Sequence, residues 1–278
     1  MRRILIAFLL MVLAFPAFAA EKESAYDRVM RTGVIRVGYS VWPPYQIRNP
    51  NTGELSGNSA DIMKIFSGLL GLKTEWVQQS GLGTQVEELK QGKYDVVIND
   101  GPYVFSMIKF IDFSNPYLYA PVHAYVRSDE HRFKNLQDLN SADVTFVGLD
   151  GDLSADLVGR LYPMAKLTTL PASTDPGMLM LNVLTKKADV AIVDPGSVHT
   201  FNKTHNPGLK AFAESTPVAV YAVGFSMMKG DEKLLTLVNG TVAAMNNTNL
   251  VDPVLKKWLP EKGDYYPVAK PYQSGASK

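Results

Sequence analysis

The sequence predicts an α/β chain built from βαβ units, and two observations carry that expectation. Four short β-rich runs, over 34–40, 96–100, 144–150 and 190–194, are nearly continuous in apolar residues, as parallel strands buried on both faces are. Between them, apolar residues recur at helical spacing behind residues able to cap a helix.

In chain order, Arg2 and Arg3 precede an apolar run over 4–15, followed by Ala17-Phe18-Ala19. A basic start, a short hydrophobic stretch and small residues before the cut describe a cleavable secretory signal over 1–19. The run is shorter than the roughly 20 residues of a membrane span. The mature chain is therefore expected to be soluble and periplasmic. It is expected to lack a lipid anchor, since no Cys follows the signal. After strand 34–40, Ile62, Ile65, Phe66, Leu69 and Leu70 outline a helix opened by Asn58 or Ser59. Thr84-Gln85-Val86-Glu87 has capping-box spacing, with Val86 and Leu89 inward. Asp152 can cap a helix that presents Leu153, Leu157 and Leu161 on one face. Asp175-Pro176 reads as an N-cap followed by proline. Asp231 opens a helix with Leu234, Leu235, Val238, Val242 and Met245 inward. The end, over 265–278, reads as a surface tail, and no internal repeat or low-complexity stretch appears. Pro-containing crossings near 115–121 and 216–221 are candidate inter-domain connections.

Composition narrows the function. The 278 residues are 46% hydrophobic and 20% charged, with a formal net charge of +1. That balance lacks the basic surplus of a nucleic-acid binder, so no nucleic acid is expected. Loss of Arg2 and Arg3 with the signal would turn 28 basic against 27 acidic side chains into 26 against 27. Zero Cys removes disulfides, thiolate catalysis and Cys-based metal sites. His123, His131, His199 and His205 show no metal-type clustering, and Asp152 with Asp156 reads as a cap and a solvated side chain. No Gly-x-Ser-x-Gly, phosphate loop or dinucleotide fingerprint is present. Neither enzyme activity, a cofactor nor a metal is expected.

Ordered landmarks then carry a resemblance. Thr32-Gly33-Val34-Ile35-Arg36-Val37-Gly38-Tyr39 leads to Trp42-Pro43-Pro44-Tyr45; Gly53 and Gly57 precede Ala60-Asp61-Ile62. Leu89-Lys90-Gln91-Gly92-Lys93-Tyr94-Asp95-Val96 precedes Ile111-Asp112-Phe113-Ser114-Asn115-Pro116-Tyr117. Leu136-Gln137-Asp138-Leu139, a strand–Gly151–helix turn, and Ala188-Asp189-Val190-Ala191 ending in Asp194 follow. From about Asp27 to Trp258 the chain resembles the bacterial extracellular solute-binding proteins of family 3, the receptors of ABC importers. The resemblance implies a two-lobed type II periplasmic binding fold, two α/β lobes joined by two hinge strands. Lobe 1 would span 20–116 and 222–278, and lobe 2 would span 117–221. It further implies a small-molecule ligand, an ABC permease partner and a monomer.

The implied pocket departs from the amino-acid pattern. Where the family places the Arg that grips a ligand carboxylate stands Met107; its hydroxyl partner is Pro102; the Thr-rich turn reads Gly151-Asp152-Leu153-Ser154. Lys109 lies two residues from the Arg position and is expected to point elsewhere. The amine side matches better. Asp194 stands where the family pairs a carboxylate with the ligand ammonium, Trp42 where it stacks an aromatic, and Tyr45 lies beside it. Asp100, Gly101, Tyr103 and Phe105 belong to the first lobe's binding segment. Carboxylates among aromatic faces favour a cation, so an amine, another cation or a neutral hydroxylated solute is expected, and not a free α-amino acid. Plainer roles stand beside these: Asp194 and Asp152 as caps, Asp100-Gly101 as a turn, Trp42-Pro43-Pro44-Tyr45 as a rigid loop, Met107, Tyr103 and Phe105 as packing residues. Two other functions remain open, an accessory protein of a periplasmic quinoprotein-type alcohol dehydrogenase and a periplasmic dehydratase. The missing Arg argues against the second.

Overall fold

A computed structural model describes residues 23–101, 106–213 and 215–270. The signal segment, Pro102, Tyr103, Phe105 and the last eight residues lie outside them. The elements in order are α1 (Ala25–Thr32), β1 (Val34–Tyr39), β2 (Ile47–Arg48), β3 (Leu55–Ser56), α2 (Asn58–Leu70), β4 (Lys73–Gln78), α3 (Gln85–Gln91) and β5 (Val96–Asp100). Then come β6 (Ile111–Phe113), β7 (Leu118–Arg127), β8 (Thr145–Leu149), α4 (Leu153–Leu161), β9 (Lys166–Leu170) and α5 (Gly177–Leu184). The chain continues with β10 (Val190–Val193), α6 (Pro195–Asn202), β11 (Leu209–Ala211), β12 (Ala219–Met228), α7 (Glu232–Asn247) and α8 (Val251–Trp258). The expected α/β alternation is present, and no described helix is long and apolar enough to cross a membrane.

One sheet orders its strands β4-β1-β5-β12-β7-β10-β8-β9, with β6 added on β12 and β11 on β7. The outer strands are parallel within each half: β4, β1 and β5 on one side, β10, β8 and β9 on the other. Two ten-residue strands tie the halves together. β12 pairs antiparallel with β7 from Ala219↔Val122 to Val223↔Leu118, then continues along β5 from Gly224. β7 likewise continues past Val122 to pair with β10.

The short apolar runs are explained by two-sided burial. Every residue of β10 is buried, and alternate residues enter different cores. Ala191 and Val193 join Leu149, Val183 and Val198, whereas Val190 and Ile192 join Phe146, Leu157 and Val126. The other half has its own core of Val37, Ile62, Phe66, Val96, Phe225 and Val242.

Several local expectations need correction. Helix α2 begins at Asn58 with Gly57 as its cap residue and no capping side chain. Only glycine fits there: φ is +112°, and a Cβ would meet the Tyr45 carbonyl oxygen at 2.4 Å. Thr84 makes no capping bond; its hydroxyl donates to the Gly81 carbonyl instead. Pro176, rather than Asp175, takes the cap position of α5, although Asp175 Oδ1 still accepts from Gly177 N. Leu69 and Leu161 are about half exposed rather than inward, although Leu70 at the end of α2 packs against the core. Asp152 and Asp231 cap their helices as expected.

Candidate functional site

The parallel strands of both halves direct their C-terminal ends at one cleft. β1 ends in Tyr39, followed by Ser40 and Trp42; β5 ends in Asn99 and Asp100; Gly151 to Ser154 follow β8, and Asp194 follows β10. Val122 and Tyr221, on the paired connecting strands, also line it. Ligands of open α/β sheets collect at such strand ends. The cleft holds about 980 Å³ of empty space including its open mouth.

Of the nine residues singled out from sequence, Trp42, Tyr45, Asp100, Met107, Asp152, Ser154 and Asp194 line this cleft. Gly101 does not; it is buried and donates its N–H to Asp100 Oδ1 at 2.8 Å. Tyr103 lies outside the described residues. Lys109 is exposed and off the lining.

Asp194 reaches furthest of these side chains, bonding both its own helix turn and Trp42, distant in sequence. It caps α6 through Ser197 N (2.8 Å, to Oδ1). Its Oδ2 accepts from Ser197 Oγ at 2.8 Å and from Trp42 Nε1 at 3.1 Å. The cap and the cleft contact are one arrangement: the helix turn fixes the carboxylate, and the carboxylate holds the indole. Ser197 Oγ accepts from Trp42 Nε1 at 3.0 Å and lies 2.9 Å from the Pro43 carbonyl oxygen, which competes with Asp194 for its single proton. Burial pushes the Asp194 carboxyl above the usual range, against these hydrogen bonds. A carboxylate offers about four acceptor positions, so Oδ1 retains room for a further donor.

Asp152 is more self-contained. Oδ1 accepts from Ser154 N, Ser154 Oγ and Ala155 N, and Oδ2 from Leu149 N at 3.4 Å, all within its own turn. Burial raises its carboxyl as well. Asp100 accepts from Gln85 Nε2 and Ser226 Oγ, which anchors the end of β5 to α3 and β12. No ion pair involves Asp152 or Asp194 among the described residues, and no Lys or Arg lines the cleft there.

Sequence reading missed Gln46, Ser59, Gln79, Gln85 and Tyr221, all of which line the cleft. Gln46 follows the aromatic–proline motif directly and pairs its backbone with Trp42. Tyr45 Oη, both amide atoms of Gln46, and Gln79 Nε2 are sealed from water without a hydrogen-bond partner. Each such buried group costs about 1–3 kcal/mol while unpaired. The Tyr45 hydroxyl faces Asp194 without well-formed hydrogen-bond geometry; its burial, with that carboxylate beside it, holds its ionisation well above the ordinary tyrosine value. No grouping of His, Asp and Glu suited to a metal occurs among the described residues.

The comparisons agree with this architecture. The profile of the bacterial extracellular solute-binding proteins, family 3, matches residues 35–261. A probable amino-acid ABC transporter-binding protein of Haemophilus influenzae is 24% identical over 261 residues, covering 91% of this chain and 95% of the relative. An L-cystine-binding protein of Bacillus subtilis is 24% identical over 249 residues, covering 86% and 88%. Among solved structures, an ancestral amino-acid-binding protein described as a precursor of cyclohexadienyl dehydratase superposes with a TM-score of 0.72 at 26% identity. It covers 84% of this chain and 99% of its own. A putative ABC-transporter binding component from Wolinella succinogenes, complexed with lysine, has a TM-score of 0.73 at 22% identity, covering 83% and 97%.

Proposed function

The chain belongs to the bacterial extracellular solute-binding proteins, family 3, and from that membership we propose that it captures a small amine, cationic or neutral polar solute for an ABC importer. One observation carries the ligand class: the charged residues lining the described cleft are Asp100, Asp152 and Asp194, with no cation to hold a carboxylate. An α-amino acid brought into that setting meets repulsion at its carboxylate, whereas an ammonium group meets Asp194 and the Trp42 ring.

Capture proceeds by closure. We assign residues 20–116 and 222–278 to one lobe and 117–221 to the other, with β7 and β12 as the bending elements. Trp42 and Asp194 come from opposite lobes in that division, so their hydrogen bond forms only on closing. A cation seated against Asp194 Oδ1 and the Trp42 ring face stabilises the closed form through contacts that the open form lacks. The closed form then docks on a permease.

The test is a thermal-shift and calorimetric screen of the mature chain against primary amines, polyols and α-amino acids. Amines or neutral solutes are expected to raise Tm; tight binding of simple α-amino acids through their carboxylate overturns the assignment. Loss of the carboxylate grip is equally compatible with a protein that accompanies a periplasmic dehydrogenase. A pull-down that returns such an enzyme, with no small molecule bound in the screen, replaces the receptor reading.

A further inference from the structure

We propose that Gln46 is a specificity-determining residue that reads a neutral group carrying a hydrogen-bond donor beside an acceptor, a primary carboxamide or a ureido end, on the captured solute. The proposal rests on the cation-capturing reading above and adds the second end of the ligand.

Gln46 is 2% exposed, lines the cleft, and has neither its Nε2 nor its Oε1 bonded to anything. Its backbone is fully engaged. The Gln46 N–H donates to the Trp42 carbonyl at 2.9 Å, and the Trp42 N–H to the Gln46 carbonyl at 2.8 Å. This pairing fixes Gln46 beside the residue that holds Asp194. A glutamine buried for packing alone would find a partner for at least one amide atom, because buried polar groups are generally hydrogen-bonded. The unpaired state of both atoms instead fits a side chain whose partner arrives with a ligand.

The amide's chemistry selects that partner. Oε1 only accepts and Nε2 only donates, side by side. An ammonium offers donors alone and leaves Nε2 unmet. A carboxylate offers acceptors alone, leaves Oε1 unmet, and enters a cleft whose other charges are carboxylates. A carboxamide or ureido group satisfies both atoms at once. The Tyr45 hydroxyl, 3% exposed and turned toward Asp194 without well-formed hydrogen-bond geometry, can accept from the same group. The favoured solute therefore carries an ammonium for Asp194 and a neutral amide a few bonds away.

Matched probes test this on the mature chain: β-alaninamide, n-propylamine and β-alanine, and the corresponding set one carbon longer, each by titration calorimetry. In the wild type the amide is expected to bind about tenfold tighter than the alkylamine of equal length, the effect of one well-made hydrogen bond. In Gln46→Met the two are expected to bind alike. The same substitution should raise Tm of the unliganded chain, because it removes two unpaired polar atoms; a glutamine that held the fold together would lower it. Equal binding of amide and alkylamine in the wild type, an amide preference that survives in Gln46→Met, or a lowered Tm in that variant overturns the assignment of Gln46 and leaves cation capture standing. If neither amide nor alkylamine binds, both proposals fall together.

Discussion

Strands β5 and β10 occupy corresponding places in the two halves of the sheet, and each is bracketed by aspartates. Asp95-Val96-Val97-Ile98-Asn99-Asp100 in one half matches Asp189-Val190-Ala191-Ile192-Val193-Asp194 in the other. This short correspondence is an internal echo that sequence reading overlooked. The aspartates at the entering ends meet arginines. Asp95, its side chain fully buried, pairs with Arg28 and with Arg36 (2.8 Å) and accepts from the Arg36 backbone N–H at 2.7 Å. Asp189 pairs with Arg132 and accepts from Thr145 N at 2.9 Å. At the leaving ends, Asp100 and Asp194 accept from amide, hydroxyl and indole donors inside the cleft. The same residue type is scaffold at one end of a strand and site at the other. Supplying guanidinium groups to the far ends keeps the fold in place, and keeping them out of the cleft leaves its charge for a ligand.

The sharpest way to break that contrast is to exchange the effects of the two ends. Asp95→Ala strands two arginines beside a closed pocket, and loss of one member of a buried ion pair costs about 3–5 kcal/mol. Urea unfolding is expected to show a loss of that size with little change in amine affinity per folded molecule. Asp194→Asn should act chiefly on affinity. Asparagine can still cap α6 through its single oxygen, but its amide nitrogen then faces the Trp42 Nε1–H and cannot accept from it. Stability is expected to fall by about 1–3 kcal/mol, less than in Asp95→Ala, while a cationic solute binds on the order of 100-fold more weakly. Unchanged affinity removes Asp194 from the site.

Acid titration separates, by sign, the cleft from Glu130, an arginine-bound carboxylate that shares Arg132 with Asp189. Arg132, together with the Arg132 and His131 backbone N–H groups, draws the Glu130 carboxyl down to about 2. A depressed carboxyl contributes stability above its unfolded value of about 4.5, and the contribution fades as pH falls towards about 2. Asp194 runs the other way: its carboxyl is raised by burial, so acidification relieves a cost as pH falls below its folded value. In Asp194→Asn that relief is absent, and the loss of stability on acidification should be steeper than in the wild type. Equal slopes in urea titrations across this range would remove the distinction.

The smallest effect concerns His199, on α6, whose Nδ1 lies 2.7 Å from Asp264 Oδ1. The Asp264 bond, against partial burial, raises the His199 pKa, with Glu261 and Asp194 adding to it. The contribution is complete below the unfolded value of about 6.5 and is lost as pH rises through the folded value. With His199 partly exposed, His199→Gln is expected to cost at most about 1 kcal/mol at pH 6 and less at pH 9, read from Tm at the two pH values.

Much of this arrangement was legible before the coordinates. The apolar runs marked four strands of the sheet because two-sided burial leaves almost no room for polar residues in β5 or β10. Asp152 and Asp231 announced helix starts, since a carboxylate before a helix satisfies its free N–H groups; Asp194 reads in sequence as the cap of a turn, and it caps α6. What stayed hidden depends on contacts far apart in sequence. Gln46 and Gln79 carry no motif, and only the meeting of the two halves across the cleft brings Asp194 to Trp42. The uncapped start of α2 was also unreadable: Asn58 and Ser59 look like caps until the Tyr45 carbonyl is found pressed against Gly57.

The position of β12 has a consequence for how the chain reaches this state. It lies between β5 and β7 at the middle of the sheet, yet its residues begin at Ala219. Until that point of the polypeptide is available, β5 lacks its β12 neighbour and the first core lacks Phe225 and Met227. Sheet completion is therefore a late, non-local event, with the slow kinetics that such pairings impose. A polymer that cannot finish its central ladder early stays threadable for longer.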